Sequence, residues 1–357
     1  MKLTLFQSIA VVSALLMTTI AYAQPASTPT DRNTKTAQSV ATSEVNTAID
    51  SYLRKVLTDV GIKTQIIDIK SSNLPSMYQV NLVEQPPLHI TADGKYVIQG
   101  ELQENPSPRK ARQTPARATS AQAGEYVSAE VKASLLANMS ALKNTSAKTS
   151  FFYTAVPGVI WGATLEGVPF LISDDGKYIS RGEISIIADK QFLGLDADFE
   201  KAKNKSVLAT LEDAQLITYP ATRNEKAVIY VATDVNCLYC RQLHKQMNSL
   251  NAKGVTIKNI GYPIYEQSPK QMRAIWCQAD ESRRRNAFNN AMLQSQMTSA
   301  SASCNTDYIT SNRDIAAALA VIATPAIYRD DGVLYQGSFE SPEFLEFLGV
   351  EQLFPQP

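Results

Sequence analysis

The stretch Ala227-Val228-Ile229-Tyr230-Val231-Ala232-Thr233-Asp234-Val235-Asn236-Cys237-Leu238-Tyr239-Cys240 decides how this chain is read. Its first five residues are a short, continuously apolar run, the pattern of a strand buried on both faces of an α/β sheet. Beyond Cys237 the period changes: Cys240, Leu243, Met247 and Leu250 fall at steps of three, four and three, one face of a helix. Cys237 then stands at the first helical turn, where free N–H groups and the positive end of the macrodipole stabilise a thiolate. It is the attacking sulfur. Cys240 faces the core one turn on, where it can resolve a mixed disulfide formed by Cys237. A Cys-x-x-Cys pair set between strand and helix reads as redox-active. Half of a zinc site would need a second ligand pair, and Cys277 and Cys304 stand 27 positions apart without close partners, so no metal is expected.

Further along, the four cysteines permit three pairings. The most economical joins Cys237 to Cys240 and Cys277 to Cys304, the second closing the polar segment Gln278 to Ser303 as a structural bridge. Such a closure contributes on the order of 3 kcal/mol in the chain-entropy model. The alternative is a second redox pair. Thr324-Pro325-Ala326 precedes an apolar, strand-like run and the turn Asp331-Gly332, and a proline at a strand start leaves its isomer open. His244, four residues beyond Cys240, is expected on the solvent side of its helix.

Toward the amino terminus, Ile90-Thr91-Ala92-Asp93-Gly94-Lys95-Tyr96 returns 82 residues later as Ile172-Ser173-Asp174-Asp175-Gly176-Lys177-Tyr178. The same offset carries Ile49, Leu53, Leu57 and Val60 onto Val131, Leu135, Met139 and Leu142, an apolar stripe on one helix face. Each copy reads as an amphipathic helix followed by strands, with Asp-Gly as a tight hairpin turn. The shared pattern predicts a duplicated α+β unit over 44–104 and 126–190. A Pro-bearing linker, 105–125, separates the copies, and 191–220, charged and helix-like, is expected to be a helical linker to a catalytic domain over 221–357.

The amino-terminal residues 1–23 have a basic start at Lys2, an apolar run from Ile9 to Met17 and Ala21-Tyr22-Ala23 before Gln24, the pattern of a cleavable secretory signal. The polar residues 24–43 follow as a flexible lead-in. Export implies a compartment in which disulfides persist. In 357 residues, 34 Lys+Arg balance 34 Asp+Glu, which argues against nucleic acid or an anionic membrane as the main partner. With His89 and His244 the only imidazoles, chemistry needing several of them is excluded.

These residues together resemble the DsbC/DsbG family of periplasmic protein-disulfide isomerases. The resemblance is carried by Thr233-Asp234-Val235-Asn236-Cys237-Leu238-Tyr239-Cys240, Leu243-His244-Lys245-Gln246-Met247, Met272-Arg273-Ala274-Ile275-Trp276-Cys277, Ala302-Ser303-Cys304 and Thr324-Pro325-Ala326. It implies two tandem cystatin-like α+β domains, a helical linker and a C-terminal thioredoxin-like domain with a helical insertion. It also implies that Cys237 is the nucleophile and Cys240 the resolving thiol. Cis-Pro325 would line a substrate groove with Thr324 and Tyr239, and Cys277–Cys304 would be a structural disulfide. Leu238 replaces a familiar Gly and Arg241 a familiar His, and the cation at Arg241 is expected to favour the thiolate.

The function so implied is isomerising or reducing incorrect disulfides in exported proteins of the periplasm, without metal or organic cofactor. A membrane reductase of the DsbD type would supply electrons. A thiol oxidase using the same cysteines is the nearest alternative, and a chaperone with secondary redox activity is another. Family members usually carry one amino-terminal copy and form a homodimer through it. Here the copies could pair within one chain across a flexible linker of ~20 residues with a reach of roughly 25 Å, giving a monomer, or one copy could still dimerise.

Overall fold

The computed structural model describes residues 46–350 except 107, 109–110, 140–143 and 300–306. The expected signal (1–23), the lead-in (24–43), Leu142 and Cys304 lie outside the described residues.

Asn46 caps the first helix, α1 (Thr47–Asp59), by accepting the Ala48 N–H, and Leu53 and Leu57 are the buried residues of its apolar stripe. Four antiparallel strands follow: β1 (Ile66–Ser71), β2 (Met77–Leu82), β3 (Gln85–Thr91) and β4 (Tyr96–Gln99). The β3–β4 turn closes through Gly94, at φ +72°, and its Cα sits so close to α1 that an added Cβ would lie 3.1 Å from Val56. After the short β5 (Gln103–Glu104) the pattern repeats. Ser128 caps α2 (Ala129–Asn138), which buries Val131 and Leu135. The strands are β6 (Ser150–Tyr153), β7 (Val159–Ala163), β8 (Pro169–Ser173), β9 (Tyr178–Ser180) and β10 (Ile184–Ala188). Gly176, at φ +75°, makes the β8–β9 turn and approaches Asn138 of α2 as Gly94 approaches α1.

The two units are joined by exchanged strands. β5 does not pair with β4; it pairs with β9, Gln103 opposite Ile179 and Glu104 opposite Tyr178. Reciprocally, β10 pairs with β4, Ile184 opposite Ile98, Ser185 opposite Val97 and Ile186 opposite Tyr96. The sheet orders are therefore β1-β2-β3-β4-β10-β11 and β5-β9-β8-β7-β6, with β11 (Gln191–Leu195) a hairpin partner of β10. Each exchange satisfies N–H and C=O groups that would otherwise form an open sheet edge. It also carries apolar side chains across: Ile187 of β10 joins the core of Leu53, Leu57, Val80 and Ile90.

The stretch 191–220, expected to be a helical linker, contains one α-helix, α3 (Ala197–Leu208), and a short 3-10 turn at Asp213–Gln215, flanked by strands. β11 precedes it, and β12 (Leu216–Tyr219) follows as an edge strand of the next sheet. The Leu-Ile-Thr-Tyr run is too short to stand out beside a charged helix, yet Leu216, Ile217 and Tyr219 are all buried. α3 is packed on both sides. Phe199, Val207 and Leu208 share a core with Trp161 of β7 and with Leu319, Val321 and Tyr328 further on. Lys203 is wholly buried between them, its Nζ 2.9 Å from Glu200 and 4.1 Å from the centre of the Trp161 ring.

The last sheet has the order β12-β14-β13-β15, built from β13 (Ala227–Thr233), β14 (Val255–Gly261) and β15 (Ala326–Arg329). β13 and β14 run parallel, joined by α4 (Leu238–Ala252), while β12 and β15 are antiparallel to their neighbours. Three helices stand between β14 and β15: α5 (Ser268–Trp276), α6 (Glu281–Gln294) and α7 (Tyr308–Ala318). A helical insertion was expected in this domain, and these helices form the connection between β14 and β15. α8 (Pro342–Phe347) closes the domain.

Candidate redox site

β13 is a central strand, and its carboxyl end delivers the chain through Asp234-Val235-Asn236 to Cys237, the cap residue of α4. The Cys237 sulfur accepts the Cys240 N–H at 3.4 Å, and as a thiol it donates to Thr324 O at 3.2 Å. Thr324 precedes Pro325 through a cis peptide bond, and Pro325 leads directly into β15. Two stretches of chain, distant in sequence, thus meet at one sulfur. Cys237 and Cys240 are both free thiols, and both are buried.

Their ionisation differs sharply. The Cys240 thiol hydrogen-bonds to Cys237 and lowers its pKa most; burial opposes this, while the Thr324 side chain and the backbone N–H groups of Cys240 and Tyr239 reinforce it. The balance brings Cys237 down to about 6 from 9.0. Burial, and the charge on Cys237, push Cys240 far upward. One sulfur is thereby an anion near neutral pH, and its neighbour holds a proton. Arg241, expected to act on the thiolate as a cation, instead donates to Val235 O at 2.7 Å and to Ser295 Oγ at 2.8 Å, holding the loop ahead of Cys237.

Asp234 was not singled out by the sequence reading, and it organises the site. Its carboxylate is fully buried and accepts the Asn236 N–H at 2.7 Å, the Ser268 hydroxyl at 2.7 Å and the Ile264 N–H at 2.6 Å. The Tyr265 N–H reaches it at 3.3 Å, and its own carbonyl accepts the Cys237 N–H at 3.1 Å. Asn236 adds bonds to Ser268 and Gln271 of α5. The loop before Cys237 is thus tied to the loop after β14. A polar Thr-Asp pair closing a strand as apolar as β13 was the available signal, since a buried carboxylate must find several donors.

The other expected site residues fall as follows. Tyr239 is 63% exposed beside Cys237, and Leu238 is 65% exposed. Thr324 is buried next to Cys237. Cys277 ends α5 and is disulfide-bonded. His244 does not face solvent as expected. It is buried, its Nε2 2.8 Å from Asn289 of α6, with edge-on contacts to Tyr219 and Phe288. α6 covers that side of α4, so the apolar face is wider than the periodic stripe, and burial holds His244 neutral with a pKa near 4. No cluster of three or more metal-ligating side chains occurs among the described residues.

Two family models match this chain: a disulfide bond isomerase protein N-terminal domain over residues 35–105 and a thioredoxin-like domain over residues 213–350. The thiol:disulfide interchange protein DsbC of Escherichia coli is 33% identical over 202 residues, 55% of this chain and 79% of that protein. The DsbC of Dickeya dadantii is 33% identical over 184 residues, 51% of this chain and 72% of its own. Among solved structures, a disulfide interchange protein from Neisseria gonorrhoeae aligns with a TM-score of 0.34 and 18% identity, over 39% of this chain and 96% of that one.

Proposed function

Since the chain belongs to the DsbC family of thiol:disulfide interchange proteins, we propose that it isomerises or reduces incorrect disulfides in exported proteins of the periplasm, through Cys237. The observation that carries this reading is the asymmetry of the two thiols, Cys237 drawn down to about 6 and Cys240 pushed up. The Cys237 thiolate attacks one sulfur of a client disulfide, forming a mixed disulfide and releasing the other client sulfur as a thiolate. A client thiolate can then attack the client sulfur of the mixed disulfide, forming a new client disulfide and expelling Cys237 as the thiolate, with no net redox change. Alternatively Cys240 loses its proton and attacks Cys237 Sγ; the client leaves as a dithiol, and Cys237–Cys240 becomes the disulfide. A reductase of the DsbD type would return the two electrons. Thr324, Pro325 and Tyr239 are the groove residues, and Cys304 is the partner of Cys277.

The amino-terminal part is, in this reading, a tandem duplication of the cystatin-like family domain, over 44–104 and 126–190. The exchanged strands support pairing of both copies inside one chain, which gives a monomer with one exchange site; a homodimer through one copy is the alternative. Residues 1–23 direct export. The catalytic domain begins ahead of β12 rather than at 221. Refolding of a scrambled, multi-disulfide protein tests the chemistry: wild type should restore activity, and Cys237→Ala should add nothing to the uncatalysed rate. Equal rates would end the proposal. Light scattering should return the mass of one chain.

A further inference from the structure

Exchange at Cys237 needs two loops held in register: the one ahead of Cys237, and the one ahead of Pro325, which brings Thr324 O to 3.2 Å from the Cys237 sulfur. Cys237 and Thr324 are 87 residues apart in sequence, and the segment after β14 is bonded to both loops. Asp234 and Asn236 tie it to the first, through Ile264, Tyr265, Ser268 and Gln271. Tyr262, at its start, ties it to the second. The Tyr262 N–H donates to Thr233 O at 2.9 Å, extending the Thr233–Gly261 pairing of β13 with β14 by one residue. Its hydroxyl crosses to the end of α7 and donates to Val321 O at 3.3 Å.

The end of α7 presents that carbonyl. The Ala320 N–H returns to Ala317 O and the Val321 N–H to Ala316 O, the paired bonds of a Schellman cap, with Ala320 at φ +53° where glycine is usual. The cap turns the chain off the helix, and the carbonyls of Leu319 and Val321 find phenols: Tyr328 of β15 donates to Leu319 O at 3.4 Å, and Tyr262 to Val321 O. Val321 is buried. Beyond it Ile322 is 92% exposed and Ala323 is exposed too, and burial resumes at Thr324. Packing does not hold those two residues, so the anchor at Val321 sets where Thr324 begins. Burial raises the Tyr262 pKa, and the charge of Arg313 only partly offsets this, so the phenol keeps its proton while thiols titrate.

We propose that Tyr262 is a positioning residue for thiol exchange: by holding Val321, its hydroxyl fixes Thr324 against the Cys237 sulfur, so that one segment sets the spacing of both halves of the site. This rests on the reading of Cys237 as the attacking sulfur. Tyr262 acts at one remove, through Ile322 and Ala323. The contact it controls, from Thr324, is one of those that favour the Cys237 thiolate, so loosening it makes the thiolate harder to form.

Tyr262→Phe on the full chain removes one oxygen and keeps the ring. The alkylation midpoint of Cys237 should rise by about 0.5–1 pH unit, part of the change that a hydrogen bond to a thiolate controls. Exchange with a glutathione mixed disulfide should then slow roughly three-fold at pH 6 and hardly at all at pH 8, where the sulfur is ionised in both proteins. Tyr328→Phe loses the companion phenol ahead of the Ala320 turn. Each variant should lower the urea midpoint by about 0.3 M, but Tyr328→Phe should leave the alkylation midpoint where it is. A merely structural hydroxyl would cost stability without moving the pH profile, so an unchanged midpoint in Tyr262→Phe, or equal shifts in the two variants, would overturn the proposal. Amide exchange over 322–324 reads the brace without chemistry: it should quicken in Tyr262→Phe alone, and unchanged exchange would also overturn it. The wild-type midpoint judges the nucleophile separately, since a Cys237 that ionised like free cysteine would sink that reading and leave the amide-exchange result standing.

Discussion

Replacing Cys240 by Ala removes the donor that lowers the Cys237 pKa most. A hydrogen bond to a charged acceptor is worth about 1.5–3 kcal/mol, which corresponds to a rise of about 1–2 in pKa. The Cys240 N–H at 3.4 Å and the helix terminus remain, so Cys237 should settle at about 7–8, between its present value near 6 and the 9.0 of a free thiol. At pH 7 the thiolate fraction should drop from about nine tenths to between a tenth and a half. The rate of alkylation by iodoacetamide against pH, with far-ultraviolet thiolate absorbance alongside, reads the midpoint directly. The sign extends to stability. Cys237 ionises more easily folded than unfolded, so its contribution to the reduced protein is complete above pH 9.0 and is lost as pH falls through about 6. A midpoint in Cys240→Ala indistinguishable from wild type, or a wild-type midpoint near that of free cysteine, would refute the reasoning.

Three further outcomes follow from buried polar groups. His244 has a folded pKa near 4 against 6.5 unfolded, so the unfolded chain binds more protons between those values; stability should fall by up to about 3 kcal/mol as pH drops from 6.5 to 4, and urea melts of His244→Gln should show a flatter profile. Asp234→Asn turns a donor toward at least one N–H or hydroxyl it now accepts, and should cost about 2–4 kcal/mol in urea unfolding while slowing thiol exchange; a neutral result would remove Asp234 from the site's scaffold. Lys203→Met should lie within about 1 kcal/mol of wild type, since it fills the space over Trp161 without a buried charge, whereas Lys203→Ala should cost about 2–4 kcal/mol in the same assay.

What the amino-acid sequence disclosed was local. The stripe Leu53, Leu57 and its counterpart Val131, Leu135, the Asp-Gly turns and the strand-to-helix setting of Cys237 are written within a dozen residues each, and the structure places them as read. The strand partners were not legible, because β5 and β9 lie some 75 residues apart and nothing in Gln103-Glu104 names Ile179-Tyr178 as its complement. His244 was misplaced for a related reason: whether a helix flank is wet depends on what covers it, and α6 comes from a distant part of the chain. The role of Asp234 was not legible either, since its donors Ile264, Tyr265 and Ser268 come from the segment after β14, some 30 residues on.

The two reciprocal crossings, β4 with β10 and β5 with β9, involve different residues on each side. In an assembly of identical subunits any inherited change appears twice, once in each half, and must be tolerated in both places. A single polypeptide escapes that constraint. Ile98 meets Ile184 while Gln103 meets Ile179, and each contact can drift without disturbing its counterpart.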